Sequence, residues 1–218
     1  MNVKELIASE FPSLTLQDTG ERALHLMHEF HVLHLPLVQR DSYVALVSEE
    51  DILDWDTPEQ PLSLAEFLQF RPAVNETAHP FDAVRLARQH QLSVIPVVNE
   101  HHHFAGVVPT GELFRYVTDQ EMIQADGAVL VIDMDARQYS LAELAHLCEA
   151  NDTRILGLHM RSKDDQLELT IRVNSRDVQA LGSTLERYGY AVRETYTTVG
   201  SEDSLQHNLD AFMHYISL

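Results

Sequence analysis

Residues 21–38 and 81–98 are two copies of one pattern. Laying ERALHLMHEFHVLHLPLV on FDAVRLARQHQLSVIPVV at an offset of 60 matches Ala23 with Ala83, Leu26 with Leu86 and Pro36 with Pro96. Beyond the prolines the offset is 61, which pairs Tyr43 with Phe104, Ala45 with Gly106, Val47 with Val108 and Asp51 with Glu112. Self-similarity at such a period means two copies of one supersecondary unit. Each copy reads as a helix (19–31; 80–91), a β-rich strand (35–38; 94–98), a polar turn and a second strand (43–47; 104–108). The one inserted residue falls within or beside His101, His102 and His103, so these histidines are expected at a hairpin tip, where insertion is tolerated and side chains are solvated.

Neither histidine series reads as a metal site. Successive side chains on a strand alternate faces, so three adjacent histidines do not converge on one ion. In the spaced series, His25 and His28 can share a helix face, but His31 and His34 lie where helix gives way to strand. No Asp, Glu or Cys is arranged as an obvious co-ligand. Titration near neutrality leaves a pH effect open.

The pieces HLPLV and VIPVV before the turn, and ALVSEEDIL and GVVPTGELF after it, resemble a tandem pair of CBS domains over residues 1–122, with repeats at about 11–55 and 73–117. The resemblance implies two copies packed through their sheets, pairing into a dimer, and clefts between copies that bind adenosine-containing ligands. In the first copy the residue chemistry points the same way. Ser48 and Asp51 lie three apart, at a strand end and in the first turn of the next helix. A carboxylate there can accept both ribose hydroxyls, while the Ser hydroxyl and free helix N–H groups approach a phosphate. Leu35 and Pro36 would offer a base an apolar wall. The same Ser and acid spacing also describes a helix cap.

The second copy departs from the pattern. Pro109, with neither hydroxyl nor N–H, stands where the family has Ser or Thr, and Glu112 stands for Asp. Ile95, Pro96, Thr110 and Glu112 are therefore expected to form a degraded second site. Glu49 and Glu50 beside Asp51 disfavour a polyphosphate, so adenosine, AMP or S-adenosylmethionine is expected ahead of ATP.

After residue 127 the pattern changes to strand (128–134), helix (140–150), strand (154–160), strand (167–173), helix (176–189) and strand (190–196). This βαββαβ order is the ferredoxin-like arrangement and resembles the ACT family, so residues 128–218 are read as an ACT-like domain with a C-terminal helix. The resemblance implies amino-acid binding at domain interfaces and sheet-mediated pairing. The turn DMDARQYS lacks the glycine of the family's ligand loop. In the tail, Leu205, Leu209, Phe212, Met213 and Ile216 form one helical stripe, expected to pack on the domain or on a partner subunit.

The expected fold class is therefore α+β. With 15 Lys and Arg against 34 Asp and Glu, a net charge of −19 repels phosphate backbones and anionic lipids, so neither nucleic acid nor membrane is expected as a partner. No apolar run is long enough to span a membrane and the start MNVKELIASEF is too charged for a signal peptide, which predicts a cytoplasmic protein. The single cysteine, Cys148, shares a helical face with Leu141, Leu144 and Ala145 and reads as a small buried hydrophobe. HExxH, a phosphate-binding glycine loop, GxSxG and paired cysteines are all missing, so catalytic residues, cofactor and metal are expected to be none. What remains is a homodimeric regulatory module sensing an adenosine compound, with a ligand-free dimerising adaptor as the alternative. A histidine-metal enzyme ranks last, and the regulated partner protein is unknown.

Overall fold

The computed structural model describes residues 1–163 and 166–197, which divide into two units between Thr118 and Asp119. In the first unit the repeat is built twice from the same local rules. Helix α1 (Gly20–Glu29) starts where the Thr19 hydroxyl accepts the Arg22 N–H. Helix α3 (Pro80–His90) starts on a proline, whose missing N–H is no loss at a first helical position. Both helices end before the residues predicted to close them. His31 and Gln91, 60 apart like the copies themselves, each take a left-handed φ of 53° and terminate the helix without a glycine.

Each helix leads into an antiparallel hairpin. Strand β1 (His34–Gln39) pairs with β2 (Ser42–Ser48), and β4 (Val94–Val98) with β5 (Phe104–Pro109). Both hairpins carry a bulge at the same place: the register slips between Leu37 and Val38 and again between Val97 and Val98. The second turn holds the histidine tract. The Asn99 side-chain oxygen accepts the N–H groups of His101 and His103, and all three histidines are exposed. A further strand, β3 (Val74–Asn75), runs parallel to β4, and its counterpart in the first copy is the single bridge of Leu14 with Leu37. Short α2 (Glu49–Leu53) and longer α4 (Thr110–Thr118) close the copies.

Each copy has its own core, around Leu14, Met27, Leu35 and Leu37 in the first and Val74, Ala83, Ile95 and Val97 in the second. A third cluster joins them, with Leu46 of the first copy packed among Leu92, Val94 and Val107 of the second.

The second unit begins with α5 (Glu121–Gln124) and continues as β6 (Ala128–Asp135), α6 (Leu141–Glu149), β7 (Ile155–Lys163), β8 (Gln166–Val173), α7 (Gln179–Arg187) and β9 (Ala191–Thr197). The strands form one antiparallel sheet in the order β7-β8-β6-β9, the ferredoxin-like order, and the protein as a whole is of the α+β class. The alternation of β8 sends Leu167, Leu169, Ile171 and Val173 into a core completed by Leu144, Leu147 and Cys148 of α6 and Leu181 and Leu185 of α7. Cys148 is buried there, and burial pushes its thiol up. The tail stripe from Leu205 to Ile216 lies outside the described residues.

Candidate functional site

Where the two copies meet, a cleft of about 460 Å³ is lined by Leu33, His34, Ser48, Glu49 and Glu50 from the first copy and Gln89, His90 and Gln91 from the end of α3. Of the four residues expected to hold a ligand, Ser48 lines this cleft. Asp51 lies one helical turn on and is bound to Ser48. Its Oδ2 accepts the Ser48 N–H at 3.1 Å and the Ser48 hydroxyl at 2.6 Å, while the Ser48 Oγ accepts the Asp51 N–H at 3.1 Å. The pair is thus a complete capping box on α2. Leu35 is fully buried in the core of the first copy, and Pro36 is buried in β1 opposite Leu46.

In the second copy Thr110 opens α4, but its hydroxyl donates to the Ser93 carbonyl at 3.1 Å. Glu112 is ion-paired with Arg115 one turn later. Ile95 lies in the core of its copy and Pro96 is buried opposite Val107.

Sequence reasoning missed the residues that join the two halves of the cleft. Ser93 stands at the entry to β4, at the repeat position of Leu33. Its Oγ accepts the Leu33 N–H at 2.9 Å and lies 3.0 Å from His34 Nδ1, and its own N–H donates to that nitrogen at 3.3 Å. Its carbonyl accepts the Thr110 N–H at 3.0 Å, just as the Leu33 carbonyl accepts the Glu49 N–H at 2.9 Å. Burial lowers the pKa of His34, and the Asp51 carboxylate opposes that shift. The available signal was the repeat itself, since positions 33 and 93 precede equivalent strands. Among the described residues, no group of three His, Cys, Asp or Glu side chains is placed to hold a metal ion, and no helix is long and apolar enough to cross a membrane.

Comparison with known proteins bears on the first unit. The family model described as "CBS domain" matches residues 3–57 and 70–119. Solved structures that are similar include a CBS domain pair/ACT domain protein from Thermotoga maritima, 24% identical, covering 55% of this chain and 98% of that chain at a TM-score of 0.47. CBSX2 in complex with AMP is 20% identical, over 53% of this chain and 95% of that chain, at a TM-score of 0.46. The CBS domain of the bacterial CNNM/CorC family Mg2+ transporter in complex with ATP is 20% identical, over 54% and 87%, at a TM-score of 0.44. Residues 3–57 and 70–119, which contain the two copies read from the repeat at about 11–55 and 73–117, are a CBS domain pair.

Proposed function

We propose that the protein is a non-enzymatic regulatory module that senses an adenosine-containing ligand in the cleft at Ser48 and Asp51, with Leu35 and Pro36 behind them. CBS domain pairs are regulatory modules that bind such ligands. The observation that carries the reading is the cleft itself, large enough for a nucleoside and lined from both copies, so that a bound molecule contacts both and biases their packing. Glu49 and Glu50 in its wall favour adenosine, AMP or S-adenosylmethionine over ATP. The second site, at Ile95, Pro96, Thr110 and Glu112, is degraded, with the Thr110 hydroxyl and the Glu112 carboxylate both committed to other partners.

The protein pairs as a homodimer, for which Leu53 and Phe114, 67% and 72% exposed at equivalent places on α2 and α4, offer apolar contacts. The second unit is an ACT-like domain that adds to the pairing. A net charge of −19 argues against nucleic-acid and membrane partners and fits a cytoplasmic location.

The test is calorimetric titration of wild type and Asp51→Ala with adenosine, AMP, ADP, ATP and S-adenosylmethionine. Saturable binding lost in a folded variant supports the sensor. No heat with any ligand at two temperatures favours a second reading, a ligand-free dimerising adaptor. The mutual satisfaction of Ser48 and Asp51 is the observation on that side.

A further inference from the structure

The cleft carries an imbalance of charge that restricts what can enter it. Its walls present the carboxylates of Glu49 and Glu50, with Asp51 next in α2, and the titratable bases among its lining residues are His34 and His90. None of the lining residues is Lys or Arg. A phosphate entering this space gains no standing positive charge from a lining side chain and enters beside the acidic residues Glu49 and Glu50. A neutral nucleoside meets no such barrier.

His34 is the group placed to remove it. The Ser93 N–H donates to its Nδ1 at 3.3 Å, so that nitrogen carries no proton and the ring is neutral with its hydrogen on Nε2. Asp51 of α2 acts on its charge and Ser93 at the entry to β4 bonds its ring, while Glu49 and Glu50 from α2 and Gln89, His90 and Gln91 from the end of α3 line the cleft with it. A proton taken from solvent onto Nδ1 ends the bond from the Ser93 N–H and makes the ring a donor to the Ser93 Oγ, 3.0 Å away. Ser93 also holds the Leu33 N–H and, through its carbonyl, the start of α4, so the change reaches both copies.

We infer that this cleft admits an anionic nucleotide by taking up a proton on His34, so that binding of AMP is coupled to protonation of the imidazole and binding of uncharged adenosine is not. The inference rests on the proposed nucleotide site and adds its regulation: acidification favours the phosphorylated ligand. By linkage, AMP in turn raises the proton affinity of His34 by the same factor. Burial keeps the imidazole neutral in the empty cleft, so the proton arrives with the ligand.

The experiment is titration calorimetry of wild type and His34→Gln with AMP and with adenosine at pH 7, each in two buffers of different ionisation enthalpy. The difference between buffers gives the protons taken up. Wild type is expected to take up a substantial fraction of a proton with AMP and none with adenosine. The part belonging to the phosphate of AMP itself persists in His34→Gln, and the remainder disappears. Equal uptake in the two chains, AMP binding without uptake, or binding of adenosine alone overturns the inference and leaves the site standing. Failure of both ligands to bind at pH 7 and pH 6 overturns the inference, and failure of S-adenosylmethionine with them overturns the site as well. Should His34→Gln not fold, the His34 ring resonances of wild type followed by NMR serve instead: a pKa raised by saturating AMP supports the coupling, and an unmoved one refutes it.

Discussion

The Ser48 and Asp51 pair must be understood as a helix cap before any ligand effect of its variants can be interpreted, and a double-mutant cycle does this. Three hydrogen bonds join the two residues. Ser48→Ala removes the two that use the hydroxyl and is expected to destabilise the first unit by about 1 kcal/mol, the usual cost of losing a cap. Asp51→Ala removes the two that end on its carboxylate, together with an acid in the first turn of α2, and should cost about 1 to 2 kcal/mol. Both single changes break the 2.6 Å bond from the Ser48 hydroxyl to Asp51 Oδ2, so the double variant counts that bond once. It should therefore be more stable than the sum of the singles predicts, by about 0.5 to 1.5 kcal/mol. The assay is urea unfolding followed by tryptophan emission. Trp55 is the only tryptophan in the chain, lies just beyond α2 and meets the edge of Phe67 with ring centroids 5.7 Å apart, so it reports on the first unit. Midpoints should move while the slope with denaturant holds. Additivity of the two singles to within about 0.4 kcal/mol refutes the box.

Other outcomes follow from burial and backbone geometry. Because the folded pKa of His34 lies below its ordinary 6.5, the unfolded chain binds the proton first. The first unit should hold its stability above pH 6.5 and lose it as pH falls from 6.5 through the lower folded value, a loss that His34→Gln reduces when the urea titration at Trp55 is repeated across pH. Gly127→Ala should destabilise the second unit by about 2 kcal/mol or more, since φ is +146° and a Cβ would stand 1.9 Å from the Val173 carbonyl oxygen. An unchanged calorimetric transition for that unit would refute this. Tyr190, whose hydroxyl donates to Glu143 at 2.9 Å, has its pKa pushed up to about 12, mainly by burial and then by that carboxylate. The phenolate absorbance of wild type less that of Tyr190→Phe should show a tyrosine ionising there, and the second unit should lose stability as pH rises from 10 towards 12. Tyr190→Phe should remove that loss at a cost of about 1 kcal/mol.

The hairpin strands of the first unit, the strands of the second, the hairpin tip at His101 to His103 and the βαββαβ order were legible because each rests on a local pattern: alternation, a repeat offset, turn composition. Helix ends were less so. His31 and Gln91 close their helices in a left-handed conformation that nothing in their residue type announces. Strand β3 escaped notice because two residues carry no period and their pairing with β4 is set by tertiary packing. At the site, Ser48 and Asp51 were legible as a pair, whether as cap or as ligand contact. The apolar wall was less so: a β-rich strand announces that Leu35 is buried but not that it is committed to the core of its own copy. The Ser93 and His34 contact joins residues 59 apart, and neither residue hints at the other until the copies are packed.

That contact also says something about how such a chain can change over time. The Leu33 and Ser93 carbonyls hold the starts of α2 and α4 in matching ways, as two copies of one ancestral unit would. The Ser93 hydroxyl has no counterpart on Leu33, and it is this hydroxyl that receives Leu33 and meets His34. The joint therefore has a direction. A half-length chain ending after the first copy would leave the Leu33 N–H and His34 Nδ1 without their partner and strip Leu46 of the Val94 and Val107 it packs against. Two identical first copies fused in tandem would fare little better, since each would offer a leucine where the other needs a serine. The joint thus depends on the two copies being unequal at this position, a serine in one facing a leucine in the other.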